Sequence, residues 1–127
     1  MKKVSRFSFL FSLLFSRFSA DPGYGKVTAE EAGTLMAESD PVVLDVRTPD
    51  EYAAGHIKGA ALLPVQTLFS KMEQELSGRE EDPIIVVCAT GNRSAVASLL
   101  LTKAGFARVY NLGSGIKDWI NRGFPVV

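Results

Sequence analysis

The only cysteine of this 127-residue chain lies in a segment with the features of an anion-binding loop. Cys88 directly follows the apolar run 83–87, and residues 89–93 carry the chain into a segment of helical composition. A short turn from a strand into a helix leaves backbone N–H groups unpaired, and together with the positive end of the helix dipole these groups can bind an anion. We therefore expect the Cys88 thiol to have a lowered pKa and to react as a thiolate.

The five residues after this cysteine are predicted to form a substrate-binding loop. Gly91 is expected to supply the positive φ that a tight loop needs. The guanidinium of Arg93 can bind an anionic substrate through charge-assisted hydrogen bonds. The alternative is that Cys88 is a structural residue buried at the end of a strand. The predicted loop residues are Ala89, Thr90, Gly91, Asn92 and Arg93.

Other polar and aromatic residues are weaker candidates for the site. Asp45 and Arg47 flank the end of a predicted strand and could support the loop through hydrogen bonds. A plain turn network with an i,i+4 ion pair between Arg47 and Glu51 explains them equally well. His56 is the only histidine, and we expect it to be structural because a thiolate needs no general base. Trp119 is predicted to belong to the core.

The length and composition indicate one globular domain without a metal centre. The chain is long enough for a single core, and its 14 basic and 14 acidic residues give no net charge, which argues against a nucleic-acid partner. A single cysteine excludes an intramolecular disulfide and any CxxC motif that binds a metal or forms a redox dithiol. No His/Cys/Asp cluster occurs at metal-ligand spacing, so we expect neither metal nor cofactor.

Residues 1–20 differ in composition from the rest of the chain. They contain four of the 14 basic residues, no acidic residue and five of the eight phenylalanines. A basic start, an apolar run and a small Ser19-Ala20 pair predict a secretory signal peptide and an exported, periplasmic protein, although Arg17 and Phe18 are atypical near a cleavage site. The alternatives are an organellar transit peptide, an amphipathic surface helix or an uncleaved membrane anchor.

From residue 26 onward, helix and strand signals alternate. Thr28-Ala-Glu-Glu31 and Thr48-Pro-Asp-Glu51 are capping boxes that predict helix starts. Residues 23–25 are expected to form a flexible joint. Strands separated by helices predict an α/β fold with a mostly parallel sheet, helices on both faces and a ligand site at the carboxyl ends of the strands. The sequence predicts helices at 28–39, 48–54, 67–76, 94–104 and 116–121, and strands at 42–46, 60–63, 83–87 and 108–112.

Several motifs together resemble the single-domain rhodanese-like sulfurtransferases. They are Leu44-Asp-Val-Arg-Thr-Pro-Asp-Glu-Tyr52, Gly55-His-Ile-Lys-Gly-Ala60, Val87-Cys-Ala-Thr-Gly-Asn-Arg-Ser94, and Ala104-Gly-Phe106 with Val109-Tyr-Asn-Leu112 and Trp119. The likeness covers about residues 27–125 and implies a rhodanese-like domain at 26–127. Two departures are Lys58, where the family often has proline, and Ser114-Gly115, where it has a double glycine.

The resemblance implies a fold and an activity. The fold is a five-stranded, mostly parallel sheet. The activity is the transfer of sulfane sulfur through a persulfide on Cys88, from a small anionic donor such as thiosulfate to a thiol or to cyanide. Apart from the resemblance, we expect a monomer that needs no cofactor and that contacts a membrane only through its N-terminal segment, if that segment is not cleaved.

Two other functions remain open. Phosphatases related to this fold also combine a loop cysteine with an arginine, but they have five residues between the two, whereas this chain has four between Cys88 and Arg93. The shorter loop favours sulfur over a phosphate ester. A non-catalytic binding module is the second alternative, and the presence of both Cys88 and Arg93 argues against it.

Overall fold

The computed structural model describes residues 23–127, in which short strands alternate with helices. The strands are β1 (Gly25–Val27), β2 (Val42–Asp45), β3 (Ala61–Leu62), β4 (Pro83–Val87) and β5 (Arg108–Leu112). The helices are α1 (Ala29–Ser39), α2 (Pro49–Ala54), α3 (Val65–Glu75), α4 (Asn92–Lys103) and α5 (Gly115–Asn121).

All five strands are parallel, in the spatial order β1-β5-β4-β2-β3. Every residue of β4 is buried, as its continuous apolar sequence predicts for a central strand. One core lies between the sheet and helices α1 and α5, and the other lies between the sheet and helices α3 and α4. The predicted α/β fold, with a five-stranded parallel sheet between helices, is therefore confirmed.

The two predicted capping boxes are present, and the second of them fixes a residue of the site. At α1 the Glu31 N–H donates to the Thr28 hydroxyl, and the Glu31 carboxylate accepts from the Thr28 N–H. Thr48 and Glu51 make the same reciprocal bonds at the start of α2. Because these bonds hold the Glu51 carboxylate at the helix start, its position is set by local sequence.

Several predicted boundaries differ from the structure, and helix α3, for example, begins at Val65, two residues before its predicted start. Residues 23–25 were expected to form a flexible joint, but Gly25 begins strand β1, whose three residues pair with β5. Three residues carry too little pattern to reveal a strand that is stabilised by its neighbour. Helix α4 begins at Asn92, two residues before the predicted start, because Gly91 has a φ of 98° and occupies the N-cap.

The predicted signal peptide at 1–20 lies outside the described residues. Within residues 23–127, no helix combines the length and the apolar character that crossing a bilayer requires.

Candidate active site

The Cys88 sulfur lies where β4 ends and is surrounded by hydrogen-bond donors. The residue is only 1% exposed. The N–H groups of Gly91 and Ser94 donate to Sγ at 3.1 and 3.2 Å, and the Ser94 hydroxyl lies 3.2 Å from the same atom. Residues 89–91 form the turn between β4 and α4, so the loop and the first turn of α4 enclose the sulfur.

This environment stabilises the thiolate. Burial raises the pKa of Cys88, but hydrogen bonds from the Ser94 hydroxyl and from the N–H groups of Ser94, Gly91 and Thr90 outweigh burial, and the net pKa lies below that of a free thiol. Removing these donors would favour the neutral, unreactive form. The sulfur is therefore prepared to act as a nucleophile or as the carrier of a transferred group.

Asn111 on β5 connects the neighbouring strand to the loop. Its Oδ1 lies 2.5 Å from the Ser94 Oγ, and its Nδ2 donates to the Gly91 carbonyl at 3.3 Å. The single hydroxyl proton of Ser94 therefore has two possible acceptors, the Cys88 sulfur and the Asn111 oxygen.

A second chain segment closes the loop from the side of α5. The Ile116 N–H donates to the Cys88 carbonyl at 2.9 Å, and the Lys117 N–H donates to the Ala89 carbonyl at 3.2 Å. The backbones approach so closely that a Cβ on Gly91 would lie 2.0 Å from the Gly113 oxygen, and a Cβ on Gly115 would lie 2.1 Å from the Ala89 oxygen. Glycine at these two positions is a condition for the shape of the loop.

Arg93 lies in the first turn of α4 and forms a two-point ion pair with Glu51. Its two terminal nitrogens donate to the two carboxylate oxygens at 2.7 and 2.9 Å, and about one third of each side chain is exposed. Arg93, together with the Thr48 N–H, lowers the pKa of Glu51 to about 2, and Glu51 in turn raises the pKa of Arg93. Both side chains are charged at neutral pH.

Asp45 and Arg47 form a separate, buried pair, which corrects one prediction. The Arg47 Nη2 donates to the Asp45 carboxylate at 2.8 Å and to the Gly55 carbonyl at 2.8 Å. The predicted ion pair between Arg47 and Glu51 is wrong. Arg47 precedes the N-cap of α2 and lacks the helical geometry that brings positions i and i+4 together. Its guanidinium bonds instead to Asp45, two residues earlier in the chain. The Asp45–Arg47 pair fastens the end of β2 to the end of α2.

His56 and Trp119 pack within the fold. The His56 ring stacks on Tyr52 with centroids 3.7 Å apart, and its Nδ1 lies 2.9 Å from the Tyr52 carbonyl oxygen. Trp119 is buried, and its indole N–H donates to the Pro125 carbonyl. These contacts agree with the structural roles expected for both residues.

Three contributors to this site were not predicted from the sequence, namely the Ser94 hydroxyl, Asn111 and Glu51 as the partner of Arg93. An asparagine inside the apolar strand β5 is a signal that could have been read, because a buried amide needs partners. The contact between Arg93 and Glu51 joins residues 42 positions apart and leaves no local trace in the sequence. In the described part of the chain, no group of three or more His, Cys, Asp or Glu side chains could hold a metal ion.

Ser94→Ala is expected to move the pH midpoint of Cys88 alkylation by iodoacetamide to higher pH. The variant loses a hydrogen bond that lowers the pKa of the thiol but keeps the Ser94 N–H. Ser98→Ala is the matched control, because Ser98 lies one turn further along α4, is equally buried, and its hydroxyl has no hydrogen-bond partner. An unchanged or lowered midpoint in Ser94→Ala would show that the hydroxyl donates to Asn111 instead of the sulfur.

Comparison with known proteins identifies one family. The protein-family model of the Rhodanese-like domain matches residues 28–122 of this chain. The chain is 35% identical over 101 residues to the uncharacterized protein YibN of Escherichia coli K12, covering 80% of this chain and 71% of that protein. It is 35% identical over 96 residues to the thiosulfate sulfurtransferase GlpE of Pseudomonas entomophila, covering 76% and 84%. A crystal structure of a rhodanese-related protein from Thermoplasma volcanium matches with a TM-score of 0.70 and 33% identity, covering 82% and 98%.

Proposed function

The chain belongs to the rhodanese-like family, and from this premise we propose that it is a sulfurtransferase that carries sulfane sulfur as a persulfide on Cys88. The proposal rests on the surroundings of the Cys88 sulfur. At the end of the central strand, this atom accepts hydrogen bonds from the Gly91 and Ser94 N–H groups. The proposed donor is a small anion such as thiosulfate, and the proposed acceptor is a thiol or cyanide. The name of the GlpE relative supports thiosulfate as the first donor to test.

The proposed reaction has two steps that share one intermediate. The Cys88 thiolate attacks the outer sulfur of thiosulfate, a new sulfur–sulfur bond forms, and the old one breaks as sulfite leaves with its electron pair. The acceptor then attacks the outer sulfur of the persulfide, and the Cys88 thiolate leaves. The N–H donors around the sulfur stabilise the negative charge present at both stages, and the chemistry needs only the residues of the loop.

Phosphate ester hydrolysis is the less favoured function of this architecture. Four residues separate Cys88 from Arg93, and only residues 88–91 lie between β4 and α4. We expect such a short loop to favour the transfer of one sulfur atom over the binding of a phosphate ester.

The test is intact-mass spectrometry of the purified protein. Thiosulfate is expected to add about 32 Da, the mass of one sulfur atom, and cyanide is expected to remove it as thiocyanate. The same preparation should not hydrolyse an aryl phosphate, and the mass also reads whether residues 1–20 are removed. If neither thiosulfate nor a thiol persulfide adds mass, the proposed function is wrong. If the protein also hydrolyses a phosphate ester in a reaction that depends on Cys88, phosphatase activity becomes the better assignment.

A further inference from the structure

The Ser94 hydroxyl differs from the backbone donors around the Cys88 sulfur because it can change its partner. The N–H groups of Gly91 and Ser94 are fixed by the loop and by helix α4. A hydroxyl rotates about its Cβ–Oγ bond, so its single proton can be directed to either of two acceptors. These are the Cys88 Sγ at 3.2 Å and the Asn111 Oδ1 at 2.5 Å.

The Asn111 side chain is held in position for this exchange. Its Nδ2 donates to the Gly91 carbonyl at 3.3 Å, while its Oδ1 faces the Ser94 hydroxyl. Cys88, Ser94 and Asn111 are each at most 4% exposed, so water has little access to the hydroxyl. The choice of the hydroxyl proton therefore lies between the sulfur and the amide oxygen.

The better acceptor depends on whether Sγ carries the negative charge. In the thiolate the charge is on Sγ, and a charged acceptor forms the stronger hydrogen bond. In the proposed first step Sγ attacks the outer sulfur of thiosulfate, a new sulfur–sulfur bond forms, and sulfite leaves with the electron pair. The charge of the resulting persulfide lies on its outer sulfur, and Sγ becomes a weak, neutral acceptor. The Asn111 oxygen is then the better partner for the hydroxyl.

We propose that Asn111 is a positioning residue that takes over the Ser94 hydroxyl when a sulfur atom is loaded onto Cys88. The inference rests on the proposed function and deepens it by assigning a residue to the loaded intermediate. The hydroxyl donates to Sγ in the thiolate and to Oδ1 in the persulfide. Asn111 therefore stabilises the persulfide relative to the thiolate. The neutral thiol, which also has no charge on Sγ, gains in the same way.

Asn111→Leu tests this role because it removes the amide oxygen and keeps a side chain of similar size. Both partners of Asn111 retain another contact, since the Ser94 hydroxyl keeps Sγ and the Gly91 carbonyl also accepts from the Ala95 N–H at 3.2 Å. The same change in a Ser94→Ala background shows what Asn111 does without the hydroxyl. Ser98→Ala is the matched control, because it removes a buried hydroxyl of the same helix that has no hydrogen-bond partner.

The first measurement is the pH midpoint of Cys88 alkylation by iodoacetamide. Asn111→Leu is expected to lower the midpoint by about 0.5 pH unit or more, because the hydroxyl then donates to the sulfur alone. A purely structural role predicts the opposite sign, since a displaced loop would weaken the bond from the Gly91 N–H to Sγ. In the Ser94→Ala background the leucine should not lower the midpoint. A raised or unchanged midpoint in Asn111→Leu would overturn the proposal.

The second measurement is the equilibrium of sulfur loading. It uses a fixed ratio of thiosulfate to sulfite, at a pH above the alkylation midpoints of both proteins, and intact mass gives the loaded fraction. The ratio of loaded to free Cys88 is expected to fall about 5-fold in Asn111→Leu, because the hydroxyl loses its acceptor in the persulfide. Ser98→Ala should keep the parent ratio. An unchanged ratio in Asn111→Leu would mean that the hydroxyl follows the charge to the outer sulfur, and the proposal would be wrong.

A second variant covers the case in which Asn111→Leu does not fold. Asn111→Ala removes the same oxygen without introducing a branched side chain, and the same two shifts are expected of it. Failure of the proposed function looks different from failure of this inference. In that case thiosulfate would add no sulfur to Cys88 of the parent protein, and the role of Asn111 in the persulfide would fall with it.

Discussion

Cys88→Ser is expected to abolish sulfur transfer, by a factor of about 10³ or more, while the domain stays folded. The serine hydroxyl is nearly isosteric with the thiol and can bond to the same donors around Sγ. It cannot ionise at neutral pH and cannot hold sulfane sulfur. The persulfide intermediate is then missing, and no other cysteine in the chain can replace it.

Thiocyanate formation from thiosulfate and cyanide measures this loss, and intact mass supplies a second readout. The parent should gain about 32 Da on loading with one sulfur atom, and Cys88→Ser should gain nothing. Ser98→Ala, a buried change in the neighbouring helix α4, should load like the parent. A Cys88→Ser protein that still makes thiocyanate would place the sulfur carrier elsewhere.

Gly91→Ala is expected to lower the free energy of unfolding by about 3 kcal/mol or more and to reduce sulfur transfer with it. A methyl group at Gly91 would lie 2.0 Å from the Gly113 backbone oxygen, in a residue that also has a φ of 98°. The loop or the segment that follows β5 must move to accept it. Because the Gly91 N–H donates to the Cys88 sulfur, either movement also disturbs the nucleophile.

Gly78→Ala separates the two causes. Gly78 has a φ of 81° but no atom within 4 Å of the added methyl group, so its cost of about 1 kcal/mol comes from backbone conformation alone. Thermal or denaturant unfolding of both variants measures the difference, and the sulfur transfer of Gly78→Ala should match that of the parent. If Gly91→Ala and Gly78→Ala lose the same stability, residues 113–115 move away from the added methyl group at little cost in free energy.

The elements of this fold that the sequence predicts are those that depend on local sequence motifs. The capping boxes at Thr28 and Thr48, and the apolar run of β4, each depend on neighbouring residues only, and the elements they predict are present. The three-residue strand β1 escaped prediction because its stability comes from pairing with β5, about 85 positions away. An element is harder to predict from the sequence when the partner that stabilises it lies further along the chain.

The same distinction holds within the candidate site. The position of Cys88 after a strand and the positive φ of Gly91 follow from short motifs. The ion pair of Arg93 with Glu51 and the contact of Ser94 with Asn111 join separate elements, and neither was predicted from the sequence. The predicted pair of Arg47 with Glu51 was wrong because it applied a helical spacing rule to a residue that precedes the helix.

The pairing of the first strand with the last one affects how the protein is made. Strand β1 pairs with β5, and Asn111 of β5 completes the hydrogen bonds around Ser94 and Gly91. During synthesis the chain emerges from the ribosome in order, so β1 waits unpaired until β5 has been translated. We expect loop closure over such a separation to slow the pairing of β1 with β5. We therefore expect the Asn111 hydrogen bonds that hold Ser94 and Gly91 to form only after β5 has been made, when almost the whole domain is present.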